Sequence, residues 1–196
     1  MSDDQEPALF PVFLKLRGRR VLLVGGGKVA EAKLTGLLTT GAEVTVVAPE
    51  VRAGIVAYPV RIERRSFRAE DLEGAWLVIA AAPPEVNREV VAAASARGVF
   101  VNAVDDPAHA TAYTGGIVRR GGVTLAISTE GRAPALAGLL REALEAVIPE
   151  EISAWVAEAA TLRAKQKQAR VPIGKRRPLL LRALNRIYEG RVEVSA

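Results

Sequence analysis

The chain contains no cysteine, which excludes disulfides, thiolate metal sites and a cysteine nucleophile. Histidine occurs once, at His109, and no group of residues has the spacing of a preformed metal cage, so no resident metal is expected. Aromatic residues make up 5% of the sequence and do not interleave with the basic ones, which argues against a nucleic-acid stacking surface. No apolar run approaches the roughly 20 residues that span a membrane. The start, Met1-Ser2-Asp3-Asp4, is acidic, unlike a secretory leader. These absences suit a cytoplasmic protein without nucleic-acid or membrane partners.

What is present is a globular composition, 49% hydrophobic and 25% charged over 196 residues, enough for one domain plus a smaller addition. The formal net charge of +5 favours anionic ligands without naming one. The organising stretch is Arg20 to Ala30. Val21 to Val24 read as a strand buried on both faces, followed by Gly25, Gly26 and Gly27 and then by helical spacing at Val29, Ala32, Lys33 and Leu37. Gly25-x-Gly27-x-x-Ala30 is the dinucleotide fingerprint in its Gly/Gly/Ala form, between a strand and a helix. Gly25 would make the tight turn. Gly27 would admit a pyrophosphate to the positive end of the helix opened by Lys28, and Ala30 would let that helix pack closely on the sheet. The acid that usually ends the second strand is replaced by Ala48-Pro49, with Glu50 two places late, so NAD and NADP both stay open.

In chain order, Leu9 to Leu16 is an apolar lead-in expected to pack on the first strand. Strands are expected at Glu43 to Ala48, Val60 to Arg64, Trp76 to Ala81 and Val99 to Val104, with helices at Lys28 to Thr40 and Pro84 to Arg97 and a short helical turn at Glu70 to Leu72. Strands alternating with helices imply an α/β, Rossmann-like, doubly wound parallel sheet with ligands at the carboxyl ends of its strands. The rhythm then changes. Tyr113 to Val118 and Val123 to Ser128 read as a hairpin turning at Arg119-Arg120-Gly121-Gly122, whose exposed edges suit a partner subunit. Helices follow at Pro134 to Val147, Glu150 to Lys167 and Pro178 to Glu189, the last two joined by a basic linker, Arg170 to Arg177.

The candidate chemistry lies just after the fifth strand, in Asn102-Ala103-Val104-Asp105-Asp106-Pro107. Asp106-Pro107 is explained as a helix N-cap followed by proline at the first helical position. Asp105 is not needed for that cap, so it is either a proton acceptor or a solvated turn residue. His109, four residues on, reads as a partly exposed helix position sharing the helical face of Asp105 rather than as an iron ligand or proton shuttle.

Phe10-Pro11 to Leu16, Val24 to Ala30, Val46-Val47-Ala48-Pro49, Trp76 to Ala81, Asn102 to Pro107 and Leu125 to Ala137 together resemble the precorrin-2 dehydrogenase/sirohydrochlorin ferrochelatase family, the N-terminal module of sirohaem synthase. The resemblance covers residues 9 to about 149. It implies NAD-dependent oxidation of the tetrapyrrole precorrin-2 to sirohydrochlorin, in many members followed by insertion of Fe²⁺ as substrate to give sirohaem. It also implies a homodimer built through the hairpin, and three parts: an NAD-binding domain over 1–112, a dimerisation segment over 113–148 and a helical C-terminal domain over 149–196. The family's essential aspartate falls on Asp105. Its nucleotide contacts fall on Lys28 and Val29, in the loop of Gly25, Gly26 and Gly27, and on Pro49 and Glu50, while Ser128 matches a serine near the tetrapyrrole. For such a polycarboxylate, Arg119, Arg120, Arg132 and Arg141 are the candidate partners.

The chain departs from the family at Ala82-Pro83-Pro84, where a threonine and acids are usual. It departs again at Gly115, in place of a hairpin proline, and at Glu130-Gly131, in place of a glycine pair. It is too short for the methyltransferase domain of trifunctional members. Two other readings stand beside this one: a non-catalytic NAD-sensing module, and a dehydrogenase of another small anion. Retention of ferrochelatase activity is left open.

Overall fold

A computed structural model describes residues 8–192. The acidic start, Met1 to Asp4, and the end of the 149–196 region, beyond 192, lie outside the described residues. The chain divides into two compact units. One comprises the described residues up to Thr114 with Glu130–Arg132, and the other comprises Gly115–Thr129 with the residues from Ala133 onward.

The first unit is built on five strands: β1 (Arg20–Val24), β2 (Glu43–Val47), β3 (Arg61–Glu63), β4 (Leu77–Ala80) and β5 (Phe100–Ala103). All pair in parallel, in the order β3-β2-β1-β4-β5. The doubly wound parallel sheet is therefore as expected, and the strand order reverses between β1 and β4. Alternation along β1 sends Val21 and Leu23 to one face and Leu22 and Val24 to the other. Helix α1 (Lys28–Leu38) covers the first face through Ala30, Leu34 and Leu37. The second face is covered by α3 (Pro84–Ser95) through Val90 and Ala94, with Leu72 of a 3₁₀ turn, Ala69–Leu72. Burial on both faces is why β1 and β4 are continuous apolar runs. A short helix, α2 (Ala53–Val56), follows β2. It was not anticipated, because four residues carry no readable period; its Ile55 is buried.

Several expectations need correction. In the lead-in only Leu16 enters the core, while Phe10, Val12 and Phe13 are exposed. Asp106-Pro107 opens no α-helix but a single 3₁₀ turn, Pro107–His109, without a side-chain cap. The Asp106 carboxylate instead lies 2.8 Å from His109 Nδ1, and a turn that short gives Asp105 and His109 no shared helical face. Trp76 lies outside its strand and is half exposed, with Arg19 stacked on its ring at 4.1 Å.

Two further corrections lie in the second unit, the hairpin turn and the start of the last helix. This unit holds the hairpin β6 (Gly116–Arg120) and β7 (Val123–Ile127) and the helices α4 (Pro134–Val147), α5 (Ile152–Gln168) and α6 (Ile173–Val192). The turn is Gly121-Gly122 alone, both with positive φ, the primed geometry that matches strand twist. Arg119 and Arg120 consequently lie within β6, opposite Thr124 and Val123. Helix α6 starts five residues before Pro178, which sits inside it. Pro172 precedes its first turn, and the Arg176 side chain donates back to the Val171 carbonyl. Gly115 packs so closely on the Ile127 carbonyl that a β-carbon has no room there, which accounts for the missing hairpin proline.

Candidate functional site

The glycine turn leaves β1 at the carboxyl rim of the sheet, next to the point where strand order reverses, where open α/β sheets bind ligands. Gly25 has φ +123, and a β-carbon on it would overlap the Ala81 carbonyl oxygen. Only glycine satisfies both conditions. Gly26 faces the Glu50 carbonyl just as closely, and its own carbonyl accepts the Arg52 amide at 3.0 Å. Gly26 therefore brings the Pro49–Glu50 loop against the turn. Gly27 differs from both: nothing lies within 4 Å of a β-carbon built there. It is the N-cap of α1 and has no side-chain cap, so the first-turn amides have no intrahelical acceptor. An open backbone face at a helix N-terminus fits a dinucleotide pyrophosphate. Lys28, Val29, Pro49 and Glu50 are all exposed around it. The Arg52 guanidinium pairs with Glu31 of α1 at 2.8 Å.

Asp105 follows β5 on the same rim. It is exposed and takes left-handed φ of +61, a conformation aspartate tolerates better than most residues. Val104 is fixed just before it by donating to the Ala80 carbonyl at 2.9 Å. Behind this loop the chain doubles back. Thr111 and Ala112 both donate to the Val101 carbonyl, and the Thr111 hydroxyl accepts the Val101 amide at 2.9 Å. Buried Asn102 donates to the Ala112 carbonyl at 2.9 Å and accepts the Thr114 hydroxyl at 3.3 Å. Lys33 of α1 donates to that same hydroxyl at 2.6 Å. Burial pulls the Lys33 ammonium below its ordinary pKa, and the charge of Asp105 partly restores it.

Of the arginine candidates, Arg132 belongs to the first unit, on the Glu130–Arg132 segment. Gly131 of that segment packs on Pro107 and Tyr113, and Arg132 pairs with Glu130. Arg119, Arg120, Arg141 and Ser128 belong to the second unit. Within it, Arg120 donates to the Ile148 carbonyl and Arg141 pairs with Glu142 and Glu145. Among the described residues no group of three or more His, Asp or Glu side chains could hold a metal ion. No described helix is long and apolar enough to cross a membrane.

Sequence reasoning missed the Lys33–Thr114–Asn102 chain and the Glu31–Arg52 pair. Lys33 left a signal, a lysine at a helix position otherwise spaced for the core. Glu31 and Arg52 left none, since only the fold brings them together.

The family described as putative NAD(P)-binding matches residues 12–116, more than half of the chain. The family described as sirohaem biosynthesis protein, central, matches 120–146. Siroheme synthase 1 of Aeromonas salmonicida is 41% identical over 180 residues, which cover 89% of this chain and 38% of that protein. Siroheme synthase of Photorhabdus laumondii is 39% identical with the same coverage, 89% and 38%. The chain thus spans less than two fifths of these relatives' length. Among solved structures, SirC, precorrin-2 dehydrogenase, superposes with a TM-score of 0.68 at 27% identity, over 89% of this chain and 88% of that one. The chain belongs to the family described as putative NAD(P)-binding, whose match spans more than half of it.

Proposed function

We propose that this chain oxidises precorrin-2 to sirohydrochlorin in the cytoplasm with NAD as acceptor, and that the product then takes up Fe²⁺ on the same protein to give sirohaem. One observation carries the reading: the open glycine turn after β1 and Asp105 after β5 share one rim of a parallel sheet, with only β4 between their strands. The oxidation removes one hydride and one proton from the tetrapyrrole. A nicotinamide cofactor held at the Gly25–Gly27 turn would supply the hydride acceptor. Asp105 takes the proton on its carboxylate and would receive the pyrrole protons that Fe²⁺ displaces. Gly25, Gly26, Gly27, Lys28 and Val29 hold the pyrophosphate side of the cofactor, and Pro49 and Glu50 the adenosine side. Arg132, Arg119, Arg120 and Ser128 hold the substrate's carboxylates.

We further propose a homodimer and the three-part division at 112 and 148. Support for the dimer comes from α4, where Leu136, Leu139, Leu140 and Val147 are exposed, and from the exposed Ile117 of β6. A stripe of that size on one hairpin-and-helix unit is what a subunit interface buries.

The test is anaerobic incubation of the purified chain with precorrin-2 and NAD, following NADH, then addition of Fe²⁺ and a search for the sirohaem spectrum. Asp105→Ala should abolish NADH formation while NAD binding and the unfolding midpoint stay within error. Full turnover by that variant removes Asp105 from the mechanism. Tight NAD binding without turnover in the wild type replaces the enzyme by a nucleotide sensor.

A further inference from the structure

We propose that Lys33 is a positioning residue for this reaction, the half-buried cation that holds the Asp105 loop in its working geometry through Thr114 and Asn102. The proposal rests on the dehydrogenase reading above.

An ammonium has three protons to give and no lone pair to accept with. By donating to the Thr114 hydroxyl at 2.6 Å, Lys33 obliges that hydroxyl to donate onward, and its acceptor is Asn102 Oδ1 at 3.3 Å. Asn102 must then turn its amide nitrogen to the Ala112 carbonyl, 2.9 Å away. One charge therefore fixes the direction of every hydrogen bond in a row from α1 to the end of β5. The segment so pinned, Val104 to Thr114, leaves β5 and doubles back along it, and Asp105 sits near its start in a strained left-handed conformation. Such conformations persist only where the surroundings over-determine them. The charge of Asp105 also acts on Lys33 through space, partly offsetting the effect of burial on the ammonium. A lysine kept in a half-buried place at a cost in solvation, on a helix that leucine or alanine would serve better, is accounted for by this task.

The experiment compares wild type, K33M, K33R and T114V for NADH formation from precorrin-2, for NAD affinity and for the urea unfolding midpoint. Lys33→Met should lower kcat about 10- to 100-fold, the scale of a misplaced reacting group, with NAD affinity within about twofold of wild type. Its unfolding midpoint should be unchanged or higher, because removing a half-buried charge relieves its partial desolvation. Lys33→Arg should recover most of the lost rate, since it keeps the charge and the donors. Thr114→Val should lower kcat with NAD affinity unchanged. K33M turning over like wild type overturns the proposal, as does a loss in K33M matched by equal loss of stability and of NAD binding. Should K33M fail to fold, T114V decides by the same kcat criterion. No turnover in the wild type is the separate outcome that removes the dehydrogenase reading itself.

Discussion

The guanidinium of Arg52 lies 2.8 Å from the carboxylate of Glu31, tying the loop after β2 to the first turn of α1. In dinucleotide folds the loop after the second strand faces the adenosine ribose, where an acid suits the free 2′-hydroxyl and an arginine suits a 2′-phosphate. This loop carries both Glu50 and Arg52. With Glu31 engaging it, the charge of Arg52 is met within the protein, which predicts a preference for NAD.

Glu31→Gln should therefore improve NADP affinity about tenfold relative to NAD, a difference of roughly 1.4 kcal/mol. Arg52→Ala should leave NAD binding nearly unchanged and deepen discrimination against NADP. The melting temperature should hardly move in either variant, since solvent-exposed ion pairs contribute little to stability. Fluorescence titration with both nucleotides checks this, and an unchanged NAD/NADP ratio in Glu31→Gln would refute it.

Gly25 and Gly27 should separate under substitution. Gly25→Ala places a β-carbon on the Ala81 carbonyl at a positive φ, and should cost about 2–4 kcal/mol of stability as strain adds to overlap. Gly27→Ala meets no protein atom; its backbone, at φ −86, suits any residue, so the cost should be no more than about 1 kcal/mol at an N-cap. It should nevertheless weaken NAD binding tenfold or more, because the open face is where a pyrophosphate approaches. Chemical denaturation beside NAD titration reads both quantities. Equal stability losses in the two variants would contradict the division of roles.

The parallel sheet was legible because burial on both faces writes itself as unbroken apolar runs at Val21 to Val24 and Leu77 to Ala80. The glycine turn was legible because a tight turn and a close approach each demand the absence of a side chain. The hairpin turn was misplaced by two residues, since Arg119 and Arg120 look like turn residues until β6 and β7 are paired. The start of α6 was misplaced because Pro178 looks like a first helical residue, and only the hydrogen bonds around Pro172 show the helix beginning earlier. Asp105 stood out by position. What surrounds it did not, because Lys33, Asn102 and Thr114 come from three separate stretches of chain. A network that distant in sequence has no period to betray it.

A final prediction concerns acid stability. Arg65 grips Asp71 with two bonds, at 2.8 and 2.6 Å, and the Arg68 amide donates to the same carboxylate at 2.8 Å. The Arg65 hydrogen bond holds the Asp71 carboxyl below its usual value against the opposing effect of burial. A carboxylate whose pKa is lower folded than unfolded binds fewer protons in the native state. Its contribution is therefore fully present above about pH 4, the unfolded value, and is lost as pH falls through the lowered folded value. This grip closes the 3₁₀ turn that seats the fully buried Leu72 against α3, so it matters to the sheet's second face. Asp71→Asn should lower the urea midpoint at neutral pH with no change in slope, and its deficit against wild type should shrink steadily below pH 4. A deficit that stays constant from neutral to strongly acid pH would show that the Asp71 carboxylate is not stabilised by Arg65 in the folded protein.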